Sequence, residues 1–304
     1  MNKIELSVVV MTYNQEKYVR KTIQSIIDQL DQHCMELIIA DDCSQDCTRG
    51  IIEEFARKYR NIRPVYNEIN KGVINNYFDA LKLCNGNYVM ICGGDDYWLP
   101  NKVNMQLKHM KQNDIIVSCT GVEIIDDQGN HIEEKRCVKD TIFFDDLIVQ
   151  NCVCASSVCF SRKVMEKYVS QVNPQAKDWQ MEDYPFLLWV SKQTPIKYID
   201  NILVAYRIVP NSITHTNNVD KQIKFQQSAT DIRKYFVEED KYDVIDKLHH
   251  DNITQVYFIT RNKKGFRKTV LSEKSIKGII KFVISYIPGF WKIWELKLNK
   301  SVKR

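Results

Sequence analysis

Leu6-Ser-Val-Val-Val-Met-Thr-Tyr-Asn14 is a β-branched run that stops abruptly in polar residues. That pattern predicts a buried strand feeding a loop. Outward from it, the pattern recurs. Val19, Ile23, Ile26, Ile27 and Leu30 fall at helical spacing within 16–30. Glu36-Leu-Ile-Ile-Ala40 reads as a second strand and ends in Asp41-Asp42-Cys43-Ser44. A helix over 48–60, a brief strand from Val65, the turn Asn70-Lys71-Gly72 and a helix over 75–83 follow. Tyr88-Val-Met-Ile-Cys92 is another strand, closing in Gly93-Gly94-Asp95-Asp96. This β-α-β-α-β-α-β alternation predicts an α/β fold, with a mostly parallel sheet flanked by helices on both faces. In such sheets ligands bind beyond the carboxyl ends of the strands. Three polar clusters converge there: Thr12-Tyr13-Asn14, Asp41-Asp42 and Asp95-Asp96.

Further along, residues 101–112 read as a helix and 115–120 as a strand. A strand–turn–strand is centred on Asp127-Gln-Gly129, and helices are expected over 141–150 and 162–171. Glu182 and Asp183 stand near the start of another helix. Short strands are expected over 196–199 and 203–208, and helices from about 220 onward. Of the 304 residues, 44% are hydrophobic and 27% charged, which excludes disordered, collagen-like and coiled-coil classes. The net charge of +5 is too mild to imply nucleic acid. It hides an asymmetry, because residues 261–304 hold 13 Lys/Arg against 2 Asp/Glu. Ten cysteines include no C-x-x-C pair, so buried free thiols in a reducing compartment are expected. The apolar stretch 6–11 is too short for a secretory leader, and no run reaches about 18 apolar residues. The expectation is a cytoplasmic protein.

Asp95 and Asp96 follow two glycines, so a ligand can approach the turn closely. Carboxylates there suit Mn²⁺ or Mg²⁺, which share their coordination with substrate phosphates. The plainer reading is a pair of solvated turn aspartates. Two such pairs at successive strand ends favour the functional reading.

The ordered set of segments resembles the family 2 glycosyltransferases, which have the GT-A (Rossmann-like) nucleotide-sugar-binding fold. The segments are Ser7–Asn14, Glu36–Ser44, Asn70-Lys71-Gly72, Tyr88–Trp98, Met181-Glu-Asp183 and Tyr206–Ser212. They run in family order over about two-thirds of the chain, 7–215. The resemblance implies a GT-A domain over 1–218 and a helical C-terminal region over 219–304. It implies that Thr12, Tyr13 and Asn14 line the nucleotide pocket. Asp41 or its neighbour Asp42 would bond the pyrimidine base, and Lys71 lies in the segment that closes over base and diphosphate. Asp95 would ligate Mn²⁺ or Mg²⁺, with Asp96 near the ribose or sugar, and Asp183 would be the catalytic general base. The implied reaction is a single inverting displacement from a nucleotide-diphosphate sugar, a UDP-sugar, onto a saccharide or lipid-linked saccharide. Cell-surface polysaccharide synthesis is the family-level setting.

One position departs from the family. Many members read Asp-x-Asp-Asp at the metal turn, and here the first position is Gly93. Whether Asp96 also meets the metal stays open on the sequence. Tyr206-Arg207 and Ser212 read as a strand end with a turn, the alternative placing Arg207 or His215 at the leaving diphosphate. Trp98 reads as a packing residue rather than a sugar platform. The Gln-x-x-Arg-Trp motif of processive synthases is absent, which favours single addition.

Ile276, Ile279, Ile280, Val283, Ile284 and Ile287 form one helical stripe, followed by Pro288-Gly289, Trp291 and Trp294 among lysines. The basic tail over 270–304 suits peripheral contact with an anionic membrane; packing on the body or an oligomer contact are the alternatives. Two rival functions remain. A sugar-nucleotide nucleotidyltransferase would favour a glycine-rich phosphate loop after the first strand, yet Met11–Glu16 has no glycine. A non-catalytic nucleotide-sugar binding module would lose acidic residues, yet Asp95, Asp96 and Asp183 are present.

Overall fold

Parallel pairing of the first strands gives the architecture. In the computed structural model, residues 4–31, 34–210, 212 and 216–273 are described. The chain divides into two compact units, Met1–Arg207 and Ile208–Arg304. The first unit opens with β1 (Leu6–Thr12), α1 (Val19–Ile27), β2 (Met35–Asp41), α2 (Thr48–Lys58), β3 (Ile62–Tyr66), α3 (Gly72–Leu81) and β4 (Tyr88–Gly93). There follow β5 (Tyr97–Trp98), α4 (Lys102–Gln112), β6 (Val117–Ile125), β7 (His131–Lys135), β8 (Thr141–Ile142) and α5 (Phe144–Val149). It closes with β9 (Cys159–Ser161), α6 (Arg162–Val172), α7 (Tyr184–Ser191) and β10 (Ile196–Arg207).

Sheet order is β3-β2-β1-β4-β9-β6-β10-β5, with β7 on β6 and β8 on β10. β1 pairs in parallel with β2 and β4, β2 with β3, and β6 with β10. Val8, Val9 and Val10, like Leu37, Ile38 and Ile39, are fully buried, because helices cover both faces. Each such side chain contributes about 1.5–3 kcal/mol of transfer free energy. α1 turns Val19, Ile23, Ile26 and Ile27 inward, with Thr22 on the same buried face.

The structure amends the sequence reading: β5 is unforeseen, and β8 takes the start of the helix expected over 141–150. β9, antiparallel to both β4 and β6, fills the centre of the sheet and has no counterpart in the reading. Its three residues are too few for a periodicity to register. β3 starts at Ile62 rather than Val65 and takes in Pro64. It lies at the end of the strand order, where a missing proline N–H is tolerated. β6 begins at Val117 and runs unbroken to Ile125. The two short strands near 200 are one strand, β10, whose pairing with β6 shifts register between Ile199 and Val204. Exposed Asp200 and Asn201 occupy that irregularity, and Arg136 holds Asp200 at 2.6 Å.

In the second unit lie α8 (Val219–Phe236), α9 (Tyr242–Ile259) and α10 (Lys263–Glu273). Phe258, Phe266 and Val270 form a core between α9 and α10. Lys234 pairs with Asp246, and Thr230 Oγ1 lies 2.8 Å from His249 Nδ1, joining α8 to α9. The apolar stripe at 276–287 and the tryptophans beyond it fall outside the described residues. Among the described residues no helix is long and apolar enough to cross a membrane.

Candidate functional site

Register brings the polar strand ends side by side. Thr12 pairs with Asp41, and Met11 with both Ala40 and Gly93. The fully buried Asp41 carboxylate accepts from Thr12 Oγ1 (3.0 Å), Ser44 N (3.0 Å), Ser44 Oγ and Arg49 Nε (2.6 Å). Arg49 also donates to the Asn67 carbonyl and lies over the Tyr66 ring, 5.3 Å from its centroid. Asp42 accepts from Asn67 Nδ2 (2.9 Å), Lys71 N (2.8 Å) and Gly72 N (2.9 Å). It thereby ties the Asn70-Lys71-Gly72 turn to the end of β2. The start of α3 favours such a carboxylate, since its first N–H groups lack helical partners. Lys71 Nζ reaches Asp79 at 3.1 Å. Asn14 is left-handed, with φ 52°, and its Oδ1 accepts from Gln45 N at 2.8 Å. Tyr13 is 47% exposed at the mouth of this cluster.

The turn after β4 is built differently. Thr22 Oγ1 lies 2.9 Å from the Gly94 carbonyl and 2.5 Å from that of Asp96. Ser156 Oγ donates to Asp96 Oδ2 (2.5 Å) and accepts from Gly93 N (3.0 Å). Arg207 donates from its main chain to Asp96 Oδ1 (2.9 Å) and from Nε to the Asp95 carbonyl (2.8 Å). Gly94 has no room for a side chain: a Cβ would stand 2.3 Å from Gln15 Oε1 and 3.0 Å from the Met11 carbonyl. Burial pushes the Asp95 carboxyl above the ordinary carboxylate range. Asp96 is raised by burial and by the charge of Asp95 beside it.

Asp183 stands at the N-cap of α7 and accepts from Tyr184 N at 2.7 Å. Every residue of α7 is buried, and Tyr168 packs on Phe186 and Trp189, so the cap is held firmly. Asp183 borders a small apolar cavity with Tyr77, Ile91 and Ala155. Burial raises its affinity for a proton; Glu182 is raised by burial and by the charge of Asp183. Cys154 feels the charges of both Asp96 and Asp183. The segment 154–156 therefore adjoins both groups, through Ser156 on Asp96 and Ala155 in the cavity with Asp183.

Does this turn suit a divalent cation? Asp95 supplies a carboxylate, and the Gln15 side chain bonds to it. Gln15 Oε1 is a buried acceptor with no donor. Two adjacent carboxylates, half-buried Asp95 and buried Asp96, both raised by desolvation, are the surroundings a cation relieves. All these donors are hard oxygens, the type Mn²⁺ and Mg²⁺ take. Among the described residues no group of three or more His, Cys, Asp or Glu could hold a metal alone. The turn thus fits a cation that shares its coordination with a substrate phosphate.

Ser156, Thr22, Arg49 and Gln15 were not singled out from the sequence. Thr22 alone carried a signal, a polar residue among the buried positions of α1. Ser156 and Gln15 act across long separations that periodicity does not encode, and Arg49 lies within α2, where its spacing to Asp41 carries no pattern. Trp98 is buried beneath Lys102, whose ammonium lies 4.8 Å from the ring centroid, and so packs the interior. His215 lies outside the described residues. All ten cysteines are free, and Cys84, Cys92, Cys119 and Cys159 are buried.

Known proteins share this chain's sequence and fold to different extents. Glucosyltransferase WfgD of Escherichia coli, named for UDP-Glc and α-D-GlcNAc-diphosphoundecaprenol, is 29% identical over 230 residues. That alignment covers 74% of this chain and 85% of WfgD. Uncharacterized protein Rv1520 of Mycobacterium tuberculosis is 33% identical over 163 residues, 52% of this chain. The chain spans about half the length of such mycobacterial relatives, 47%. The crystal structure of S. aureus TarS 1-349 in complex with UDP superposes with a TM-score of 0.63. It covers 94% of this chain and 82% of TarS at 16% identity, which is a likeness of fold. The sequence model described as Glycosyl transferase family 2 matches residues 7–169, the stretch that carries both aspartate pairs. With more than half of its length matched by that model, the chain belongs to glycosyl transferase family 2.

Proposed function

We propose that this chain is a metal-assisted, inverting glycosyltransferase that moves a sugar from a UDP-sugar to a saccharide or lipid-linked saccharide. The observation that carries this reading is the placing of the Asp95-Asp96 turn and Asp183 about one segment: Ser156 bonds Asp96, and Ala155 shares a cavity with Asp183. Thr12, Tyr13, Asn14, Asp41, Asp42 and Lys71 form the nucleotide end. Asp41 and Asp42 shape it from within, and exposed Tyr13 covers the base. Asp95 holds the cation, with Asp96 toward the ribose or sugar. A bound Mn²⁺ or Mg²⁺ supplies Lewis-acid stabilisation of the negative charge on the departing diphosphate. A mannosyltransferase from Pyrobaculum calidifontis, solved with GDP-Man and Mn²⁺, shares the fold at a TM-score of 0.59 and 12% identity, covering 99% of this chain and 86% of its own.

Asp183 takes the proton of the acceptor hydroxyl as the oxygen attacks the anomeric carbon. Its raised proton affinity suits that task, since a stronger base pulls harder on a weakly acidic hydroxyl. The C–O bond to the diphosphate breaks as the new glycosidic bond forms, so one displacement inverts the anomeric centre. Polysaccharide synthesis at a membrane face is the setting, given that WfgD is named for a lipid-linked acceptor. The basic tail over 270–304 would bring enzyme and acceptor together there. Flotation with anionic liposomes, with and without 270–304, tests the tail, and equal flotation sinks it.

Incubation with a panel of UDP-sugars and undecaprenyl-diphosphate-linked acceptors, followed by NMR of the product, tests the reaction. Transfer with inversion that is lost in Asp183→Asn supports the proposal. Retention of configuration, or transfer undiminished in Asp183→Asn, contradicts it.

A further inference from the structure

We propose that Arg207 is a positioning residue that sets the aim of the Asp95 carboxylate by clamping its turn to the β6–β7 hairpin. The inference rests on the metal reading of Asp95 and extends it to a residue that touches neither metal nor sugar.

Arg207 is the last residue of β10 and is 6% exposed. Its Nε donates to the Asp95 carbonyl at 2.8 Å. Its Nη1 donates to the carbonyls of Asp126 (3.0 Å) and Asp127 (3.3 Å). Its main-chain N–H holds Asp96 Oδ1 at 2.9 Å. The guanidinium also lies over the Tyr18 ring, 4.7 Å from the centroid, just before α1. One planar group thus joins three segments far apart in the chain: the turn after β4, the hairpin turn and the entry to α1. Its charge also attracts both Asp95 and Asp96.

Contacts of this kind need the fixed fork of a guanidinium. A lysine ammonium carries the charge but cannot reach the Asp95 and Asp126 carbonyls in the same plane. The hairpin turn is itself braced. Asp126 accepts from Gln128 N, Asn130 N and Asn130 Nδ2, and Gly129 there has φ +90°. Its carbonyls are therefore a rigid anchor for Nη1, and rigidity there is passed through Nε to the Asp95 main chain. Nε and Nη1 are thus committed to main-chain carbonyls. Small misplacements of a carboxylate matter greatly to a cation with strict octahedral demands.

The test is Mn²⁺ binding to the UDP-loaded protein, followed by electron paramagnetic resonance, alongside calorimetric UDP binding without metal. Arg207→Lys is expected to weaken Mn²⁺ about tenfold while leaving metal-free UDP affinity unchanged. Asp126→Ala, which loosens the hairpin turn and leaves Asp95 and Arg207 in place, is expected to weaken Mn²⁺ a few-fold in the same selective way. A purely structural role for Arg207 would lower the melting temperature and leave the Mn²⁺ affinity alone. A folded Arg207→Lys protein with wild-type Mn²⁺ affinity overturns the clamp. Should Arg207→Lys fail to fold, wild-type Mn²⁺ affinity in Asp126→Ala overturns it instead. Absence of Mn²⁺ binding in the wild type would remove the metal reading itself, a result distinct from failure of the clamp.

Discussion

Two aspartate pairs sit at the same sheet edge and look alike in sequence, but their surroundings differ. Asp41 and Asp42 are saturated: four donors reach the first carboxylate and three the second. Asp96 takes two donors, Ser156 Oγ and Arg207 N, while Asp95 and Asp183 each have their own N–H and one other, Gln15 and Tyr184 N, and burial raises all three. A carboxylate filled with donors builds the protein. One buried with few donors is costly to keep ionised, and a cation or a substrate proton can relieve it. Adjacent aspartates thus divide into a pair that holds the loop around a nucleotide and groups left for chemistry.

The sharpest way to break this contrast is Asp183→Asn. Removal of a general base is expected to lower kcat by about 10²–10⁴-fold. Asparagine still accepts from Tyr184 N, so the melting temperature should hold. A UDP-release assay beside a thermal melt reads both, and a large loss of stability would make Asp183 a structural cap. On the saturated side, Arg49→Ala should do the reverse. It strips a cation from fully buried Asp41 and should cost about 1–3 kcal/mol in urea unfolding, moderated because Arg49 is a third exposed. Gly94→Ala is expected to weaken nucleotide and metal together, because its Cβ has to displace Gln15 and Thr12. Unchanged calorimetry there would mean the turn yields more easily than its packing suggests.

The smallest effect concerns pH. Asp183 acts only when deprotonated, so activity should fall as pH drops through its raised value, above the ordinary range near about 4. Stability runs the other way. A carboxyl that binds its proton more tightly when folded loses stability as pH rises through that raised value. Asp183 raises Glu182 by its charge, so the two titrate together, and Glu182→Gln should move the acidic limb of kcat to lower pH. A limb that stays in place would show that burial alone sets it.

Much of this was legible from residues. The runs at 6–11, 36–40 and 88–92 end in polar clusters, and parallel pairing aligns those ends, so the edge and its three clusters follow from pattern. What pattern missed depends on distant partners. Ser156 reaches Asp96 across 60 positions, and Arg207 reaches Asp95 across 112. β9 is too short for periodicity, and Asp200-Asn201 reads as a break although the pairing of β10 continues past it. The division of labour between the aspartate pairs was illegible because it lies in the donors, not in the aspartates.

The most direct test of that division is calorimetry of UDP, with and without Mn²⁺, on the wild type, Asp95→Asn and Asp42→Asn. Wild type should bind UDP more tightly with Mn²⁺. Asp95→Asn should lose that gain while keeping metal-free binding. Asp42→Asn should weaken UDP with or without metal and keep the gain. A Mn²⁺ gain that survives in Asp95→Asn, or disappears in Asp42→Asn alone, would contradict the account.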